Sequence, residues 1–174
     1  AWDGPVGAWE LGDAGLAGAG ITVEPVAIDG VSRDDAGRWT SEAVRLEQTT
    51  RDPDAIAAAL ERAITAAPDD PSLRLGATWS QLRRGDGVRA LAHARAGLVR
   101  ETLPYRRAQL LMWGARAALV AGDAEAAAGL WRELDGVRDP DAAHLQARAR
   151  ADRRDPRRAR RRRPKAHLGL LDAS

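Results

Sequence analysis

Several residue types on which chemistry or anchoring often depends are absent from this sequence of 174 residues. It contains no cysteine, which excludes a disulfide framework, a thiolate metal site and a cysteine nucleophile. Phenylalanine and asparagine are also absent, and Lys165 is the single lysine. No run of 18 apolar residues occurs, so no segment is expected to span a membrane. The sequence therefore points away from disulfide-stabilised, thiol-dependent and membrane-spanning proteins.

Motifs for catalysis and for cofactor binding are missing as well. The three histidines, His93, His144 and His167, do not have the HxxxH or HExxH spacing of zinc-binding helices. There is no GxSxG nucleophile motif, and the glycine-rich first 20 residues lack both the GxGxxG spacing and the GK[ST] ending of nucleotide-binding loops. We therefore expect no enzyme activity, no cofactor and no metal ion.

The composition indicates an origin rather than a function. Alanine, glycine and arginine are abundant, and residues with GC-poor codons are scarce, which is typical of a bacterium with a GC-rich genome. The sequence begins at Ala1 rather than methionine. We expect a location in the bacterial cytoplasm, and the missing methionine leaves export to the periplasm or cell envelope as the alternative.

Charge divides the chain into an acidic body and a basic end. Residues 1–147 carry 16 cations and 22 acids, whereas residues 148–165 carry eleven cations and two acids. The Arg-rich tail, residues 153–174, is either solvated or docked on the acidic body, or it contacts a partner protein, or it binds nucleic acid or an anionic membrane. The candidate contact residues are Arg157, Arg158, Arg160, Arg161, Arg162, Arg163 and Lys165.

The first 35 residues are predicted to be irregular or extended. Six glycines among the first 20 residues disfavour regular structure, because glycine loses much backbone entropy on folding. Residues 21–31 are β-branched and partly alternating, as in a short strand that Pro25 would restrict to a sheet edge. Trp2 and Trp9 either cover the end of this chain's own core or contact a partner subunit.

Residues 36–152 have the periodicity of helices joined in hairpins. Asp52-Pro53 and Asp70-Pro71 pair a capping aspartate with a proline at the first helical position. Apolar residues then recur every three or four positions, as in the stripe Val88, Leu91 and Leu98, with Arg95 at its edge. Gly85-Asp86 and Gly122-Asp123 mark turns between such stripes. Prolines 68, 104 and 140 lie 36 residues apart, which indicates an internal repeat, and Asp155-Pro156 could start one more short helix.

This pattern resembles about three degenerate tetratricopeptide repeats over residues 37–141. Counted from Gly37, Pro71 and Ala108, the repeats place Arg51-Asp52, Gly85-Asp86 and Gly122-Asp123 at the turn between the two helices of each repeat. The small position of the second helix falls on residues 56, 90 and 127. Two departures are Ile56, which is large for that position, and Gly97, where the family has alanine. The resemblance implies an all-α fold of antiparallel hairpins stacked as a short solenoid.

The resemblance also implies a function as a scaffold that docks another protein in a bacterial assembly. In similar proteins the first helix of each repeat lines a concave groove for a peptide. The lysine–asparagine clamp of chaperone-binding members is absent here, so an acidic or amphipathic segment is the expected ligand. The groove residues implied by the register are Arg38, Glu42, Arg45, Leu75, Trp79, Arg83, Met112 and Arg116. The alternative functions are nucleic-acid association through the tail and assembly of the cell envelope after export.

Overall fold

The computed structural model describes residues 33–162, and the side chains of residues 35–162. Over this range the chain forms eight α-helices and one turn of 3-10 helix, with no strand. The predictions made for residues 1–32, including the short strand and the two tryptophans, lie outside the described residues. The helices are α1 (Arg33–Gln48), α2 (Pro53–Ala66), α3 (Pro71–Arg84), α4 (Gly87–Arg100), α5 (Pro104–Ala121), α6 (Ala124–Asp135), the 3-10 turn (Pro140–Ala142), α7 (Ala143–Arg154) and α8 (Pro156–Arg161).

The predicted all-α class is confirmed, and consecutive helices pack in pairs as in a helical solenoid. The pairs α1–α2, α3–α4 and α5–α6 are hairpins, and α2 packs on α3 and α4 on α5 to join one hairpin to the next. Helix α5 is central, because it also contacts α3, α7 and α8. Most of its residues are therefore buried on every side.

The three predicted turns share one backbone conformation. Gly85 and Gly122 end α3 and α5 in the left-handed conformation, with φ of 83° and 87°, and Arg51 before α2 has a φ of 54°. Glycine adopts this conformation without steric cost, whereas arginine does not. Each of the three residues is followed by an aspartate whose carboxylate caps the next helix. These aspartates are Asp52, Asp86 and Asp123.

The second helices of the hairpins also begin alike. The backbone N–H groups of Ile56, Ala90 and Ala127 donate to the carbonyl oxygen of the capping aspartate four residues earlier, at 3.1, 3.1 and 3.2 Å. All three side chains are buried. The three turns therefore share one backbone arrangement, and each is followed by a buried side chain four residues after the aspartate.

Helix starts follow the aspartate–proline pairs. Asp70 accepts a hydrogen bond from the backbone N–H of Ser72 at 2.8 Å, and Pro71 occupies the first turn of α3. Asp155 caps α8 in the same way, so the short helix predicted there is confirmed. The helix expected after Asp139 begins instead with a 3-10 turn and continues to Arg154.

Apolar contacts form one large cluster and two small ones. The large cluster joins α3 to α8 and contains Trp79, Trp113 and Trp131. The rings of Trp79 and Trp113 meet edge to face, with centroids 5.9 Å apart. The small clusters connect α1 with α2 and α2 with α3, and they consist mainly of alanine, isoleucine and leucine. Hydrophobic burial is therefore concentrated in the carboxyl-terminal two thirds of the array.

Two glycines mark close approaches between helices. A Cβ atom on Gly87 would lie 2.5 Å from the backbone nitrogen of Ala121, so α4 begins directly against the end of α5. A Cβ atom on Gly97 would lie 3.0 Å from the Cβ of Arg74 and 3.1 Å from Leu110. A side chain at position 97 would therefore crowd α3 and α5.

Two expectations need correction. Val88, placed on the apolar stripe of α4, is 68% exposed, because its side chain projects away from the contact that Gly87 makes with the end of α5. The boundary expected between residues 152 and 153 falls inside α7. Residues 153–162 therefore belong to the folded array, and Ala159 of α8 is buried in the large cluster.

Candidate interaction surfaces

The structure does not bring the eight predicted groove residues together on one exposed face. Leu75, Trp79, Met112 and Arg116 are buried, and Met112 is 0% exposed. They lie on α3 and α5, which neighbouring helices enclose. These four side chains are therefore core residues and are not open to a partner.

The other four predicted groove residues lie on α1 and at the end of α3. The Arg45 guanidinium donates to both carboxylate oxygens of Glu42, at 2.7 and 2.8 Å. This hydrogen bond holds the pKa of the Glu42 carboxyl below its ordinary value. Arg38 lies over the ring of Trp39, and Arg83 forms an ion pair with the buried Glu47 that links α3 to α1. Only Arg38, Glu42 and Arg45 remain as an accessible group, on α1.

An open groove that the sequence reasoning missed lies between α4 and α6. Its volume is about 380 Å³. Val99 stands on one wall and is 79% exposed, Leu130 lies at its base, and Gly129 leaves open space where a side chain would be. The one sequence signal was an apolar Val99 off the buried stripe of α4. The lining residues are Arg95, Leu98, Val99, Ala126, Gly129, Leu130 and Glu133.

Opposite charges stand on the two walls of this α4–α6 groove. Arg95 on α4 is 4.0 Å from the carboxylate of Asp123, which is the longest ion pair in the described part of the chain. Glu133 on α6 is 3.3 Å from Arg107. Both pairs are exposed and therefore weak, so their charges remain available to a ligand.

A second cavity, of about 600 Å³, is polar. It lies between the start of α2 and the end of α3, beside the Gly85-Asp86 turn. Arg84 forms an ion pair with Asp54 at 2.7 Å across it. These two charges neutralise each other, and the lining offers no apolar floor.

A buried ion pair fixes the carboxyl-terminal helices to the core. The Nε atom of Arg116 on α5 lies 2.6 Å from Oδ2 of Asp152 on α7, and the two side chains are 4% and 2% exposed. Arg162 reaches the other oxygen of Asp152 at 3.2 Å, and Arg116 also lies over the ring of Trp113. Asp152 thus binds two guanidinium groups and ties α5, α7 and the end of α8 together.

A second polar cluster surrounds the buried His93 with side chains of two other helices. His93 Nε2 lies 2.9 Å from Glu61 on α2, and its Nδ1 lies 3.4 Å from a guanidinium nitrogen of Arg74 on α3. Within the described residues no three histidine, aspartate or glutamate side chains come together in a way that could hold a metal ion. His93 therefore joins α4 to α2 and α3.

The tail residues divide into docked and exposed ones. Arg157, Arg158 and Arg161 are exposed on α8. Arg160 is also exposed, but it interacts with another group. Arg162 forms an ion pair with Asp152. Arg163 and Lys165 lie outside the described residues. Arg153, at the end of α7, binds both carboxylate oxygens of Asp135 at 2.7 Å. Residues 153–162 are thus partly self-docked, one of the interpretations left open by the sequence.

No protein-family model, no curated protein and no solved structure matches this chain. Among the helices described, none is long and apolar enough to cross a membrane. The fold and its surfaces are therefore the basis for a functional proposal.

Proposed function

We propose that this chain is a non-enzymatic helical-repeat module, of tetratricopeptide type, that docks another protein. The observation that carries this proposal is the groove between α4 and α6, which is open, apolar at its base and lined by two neighbouring repeat hairpins. Stacked helical repeats commonly bind partners through surfaces that adjacent repeats build together. The engagement of His93 by Glu61 and Arg74 supports a structural role for the buried polar residues.

The chemistry of the groove favours an amphipathic segment of the partner. Val99 and Leu98 offer an apolar surface, and Gly129 leaves room for an inserted side chain. Arg95 would attract an acidic residue on one side of the segment, and Glu133 a basic residue on the other. This arrangement corresponds to the recognition of a helix in a groove, in which spaced apolar anchors supply affinity and flanking charges set the orientation.

Site-specific photocrosslinking tests this proposal at residue level. A photoreactive amino acid replaces Val99 in one variant and Val88 in a matched control, since both are exposed valines of α4 but only Val99 lines the groove. We expect one other protein to be crosslinked at position 99 and not at position 88. Crosslinking of the same proteins at both positions, or only of a second copy of this chain, would contradict the proposal.

Direct binding then measures the contribution of the groove. With the crosslinked protein purified, Val99→Asp is expected to weaken binding by about tenfold or more, because it puts a charge into the apolar contact. Val88→Asp is the control and is expected to leave the dissociation constant unchanged. Equal affinities for both variants would place the binding surface elsewhere.

A further inference from the structure

The exposed arginines of α7 and α8 differ in their ion pairing from those of α3, α4 and α5. On α3, α4 and α5 most exposed arginines have an acid within ion-pair distance, as in Arg89–Asp86, Arg95–Asp123 and Arg100–Asp69. Six arginines at the carboxyl-terminal end are exposed, and none of them forms an ion pair with another described residue. These are Arg148, Arg150, Arg154, Arg157, Arg158 and Arg161. Successive residues of an α-helix are rotated by about 100°, so Arg148 and Arg150 lie on opposite flanks of α7, whereas Arg150 and Arg154 lie on the same side. We call the exposed surface that carries these six arginines the α7–α8 cationic face.

The acids near this face are already engaged. Residues 148–162 contain nine arginines and only two aspartates. Asp152 is buried between Arg116 and Arg162, and the carboxylate of Asp155 accepts the backbone N–H of Arg158 as the cap of α8. The face therefore carries an uncompensated positive charge, whose self-repulsion an external anion would relieve.

The core holds the cationic face in place. Leu145 and Ala149 of α7 and Ala159 of α8 are buried in the large apolar cluster. The buried Arg116–Asp152 ion pair adds a fixed link between α7 and α5. Arginines on helices anchored in this way lose less conformational freedom on binding than arginines on a solvated tail, so the face is preorganised for an extended anion.

The residue types on this face indicate which class of anion it binds. The exposed bulky apolar residues of the described chain are Val88, Val99 and Leu103, and none of them lies on α7 or α8. A face of this kind lacks the apolar side chains that insert into a membrane interface, and the apolar centre of a protein–protein interface. It also presents no exposed tryptophan, tyrosine or phenylalanine among the described residues on which single-stranded bases would stack.

What remains is a surface of guanidinium groups, which bind phosphate oxygens with paired hydrogen bonds. We infer that the α7–α8 cationic face binds the phosphate backbone of duplex nucleic acid, without reading its sequence. This inference is independent of the α4–α6 groove. It differs from a tail-based mechanism because the contacts come from folded helices and include Arg148, Arg150 and Arg154, which precede or begin the predicted tail.

The experiment measures binding of the full chain to a labelled 20-base-pair duplex by fluorescence anisotropy over a range of salt concentrations. Arms with duplex DNA, duplex RNA, single-stranded DNA, phosphatidylserine vesicles and polyglutamate distinguish the anions. The test variant combines Arg150→Gln, Arg154→Gln and Arg158→Gln. The matched control combines Arg84→Gln, Arg89→Gln and Arg100→Gln, which removes the same charge from exposed positions of α3 and α4. Circular dichroism checks that both variants keep their helices.

We expect the wild-type chain to bind either duplex more tightly than the single strand, the vesicles or polyglutamate. The test variant is expected to lose about one unit of log–log salt slope for each arginine that contacts phosphate, while the control keeps the wild-type slope. If both variants weakened binding to the duplex equally, the effect would depend only on net charge, and the inference would be overturned. Tighter binding to vesicles or polyglutamate would also overturn it and would assign the face to a membrane or an acidic protein.

Discussion

The amino-terminal hairpin and the helices that follow it bury their apolar residues in different ways. In α1 and α2 the clusters are small, and the partly buried Trp39 is covered by the guanidinium groups of Arg38 and Arg62, at 4.8 and 4.4 Å. Helices α3 to α8 share one continuous cluster with three tryptophans. Because apolar burial dominates folding free energy, we expect the hairpin of α1 and α2 to open at a lower free energy than the rest.

The ion pairs of the two regions also differ in burial, and the more buried pair lies in the carboxyl-terminal region. In α1 the Glu42–Arg45 pair is exposed to solvent, so it contributes little to stability. At the other end, the Arg116–Asp152 pair is enclosed, with the two side chains 4% and 2% exposed. An enclosed pair costs much to break, since the remaining charge is left buried without a partner. The comparison indicates that the carboxyl-terminal helices are an integral part of the fold.

The largest effect is expected from Asp152→Asn. This substitution keeps the shape of the side chain but leaves Arg116 as a buried cation beside a neutral group, which we expect to lower the free energy of unfolding by about 3–5 kcal/mol. Asp135→Asn is the control, because its partner Arg153 is partly exposed and the loss there is expected to be below about 1 kcal/mol. Urea unfolding measures both.

A double variant tests the physical reason for that loss. Arg116→Met together with Asp152→Leu replaces the buried pair by apolar side chains, and it is expected to recover most of the stability. Equal losses from Asp152→Asn and Asp135→Asn, or no recovery in the double variant, would mean that the buried pair does not hold α7 on α5.

An intermediate effect is expected at two glycines, one in each region. Gly87→Ala would place a methyl group 2.5 Å from the backbone of Ala121, so α4 must move away from α5 at a cost of about 1–3 kcal/mol. Gly37→Ala in α1 meets open space and is expected to stabilise by ~0.5–1 kcal/mol, because alanine loses less backbone entropy in a helix. Thermal unfolding followed by circular dichroism separates the two, and effects of the same sign would refute the packing described for α4.

The smallest effect is expected at the first turn. Arg51 has a φ of 54° where the other two turns have glycine, so Arg51→Gly is expected to raise the free energy of unfolding by ~0.5–1 kcal/mol. The reverse change, Gly122→Arg, is the comparison and is expected to destabilise. Chemical denaturation measures both, and a loss of stability in Arg51→Gly would show that this turn is not equivalent to the others.

Local features of the fold could be predicted from the sequence. The starts at Asp70-Pro71 and Asp155-Pro156 and the turns at Gly85 and Gly122 depend on side chains close in sequence, and the structure confirms all of them. The all-α class followed from periodicity over the same short range.

Features that depend on distant contacts could not be predicted in this way. Arg116 was assigned to a groove because its repeat position implied exposure, but its partner Asp152 lies 36 residues further along the chain, and α7 covers it. Met112 was assigned to the groove on the same basis, but it is buried because several helices pack around α5. The α4–α6 groove could not be predicted from the sequence either, because the exposure of Val99 depends on how α4 packs on α5. The tetratricopeptide assignment and the docking function stay predictions.

The central claim is that the carboxyl-terminal arginines are presented by folded helices that belong to the array. Native-state hydrogen exchange, read helix by helix, tests it most directly. We expect the amides of α7 to be protected within roughly tenfold of those of α5, and the amides of α1 and α2 to exchange faster. Exchange of α7 at the rate of an unfolded chain, with α5 still protected, would contradict the claim and return these arginines to a solvated tail.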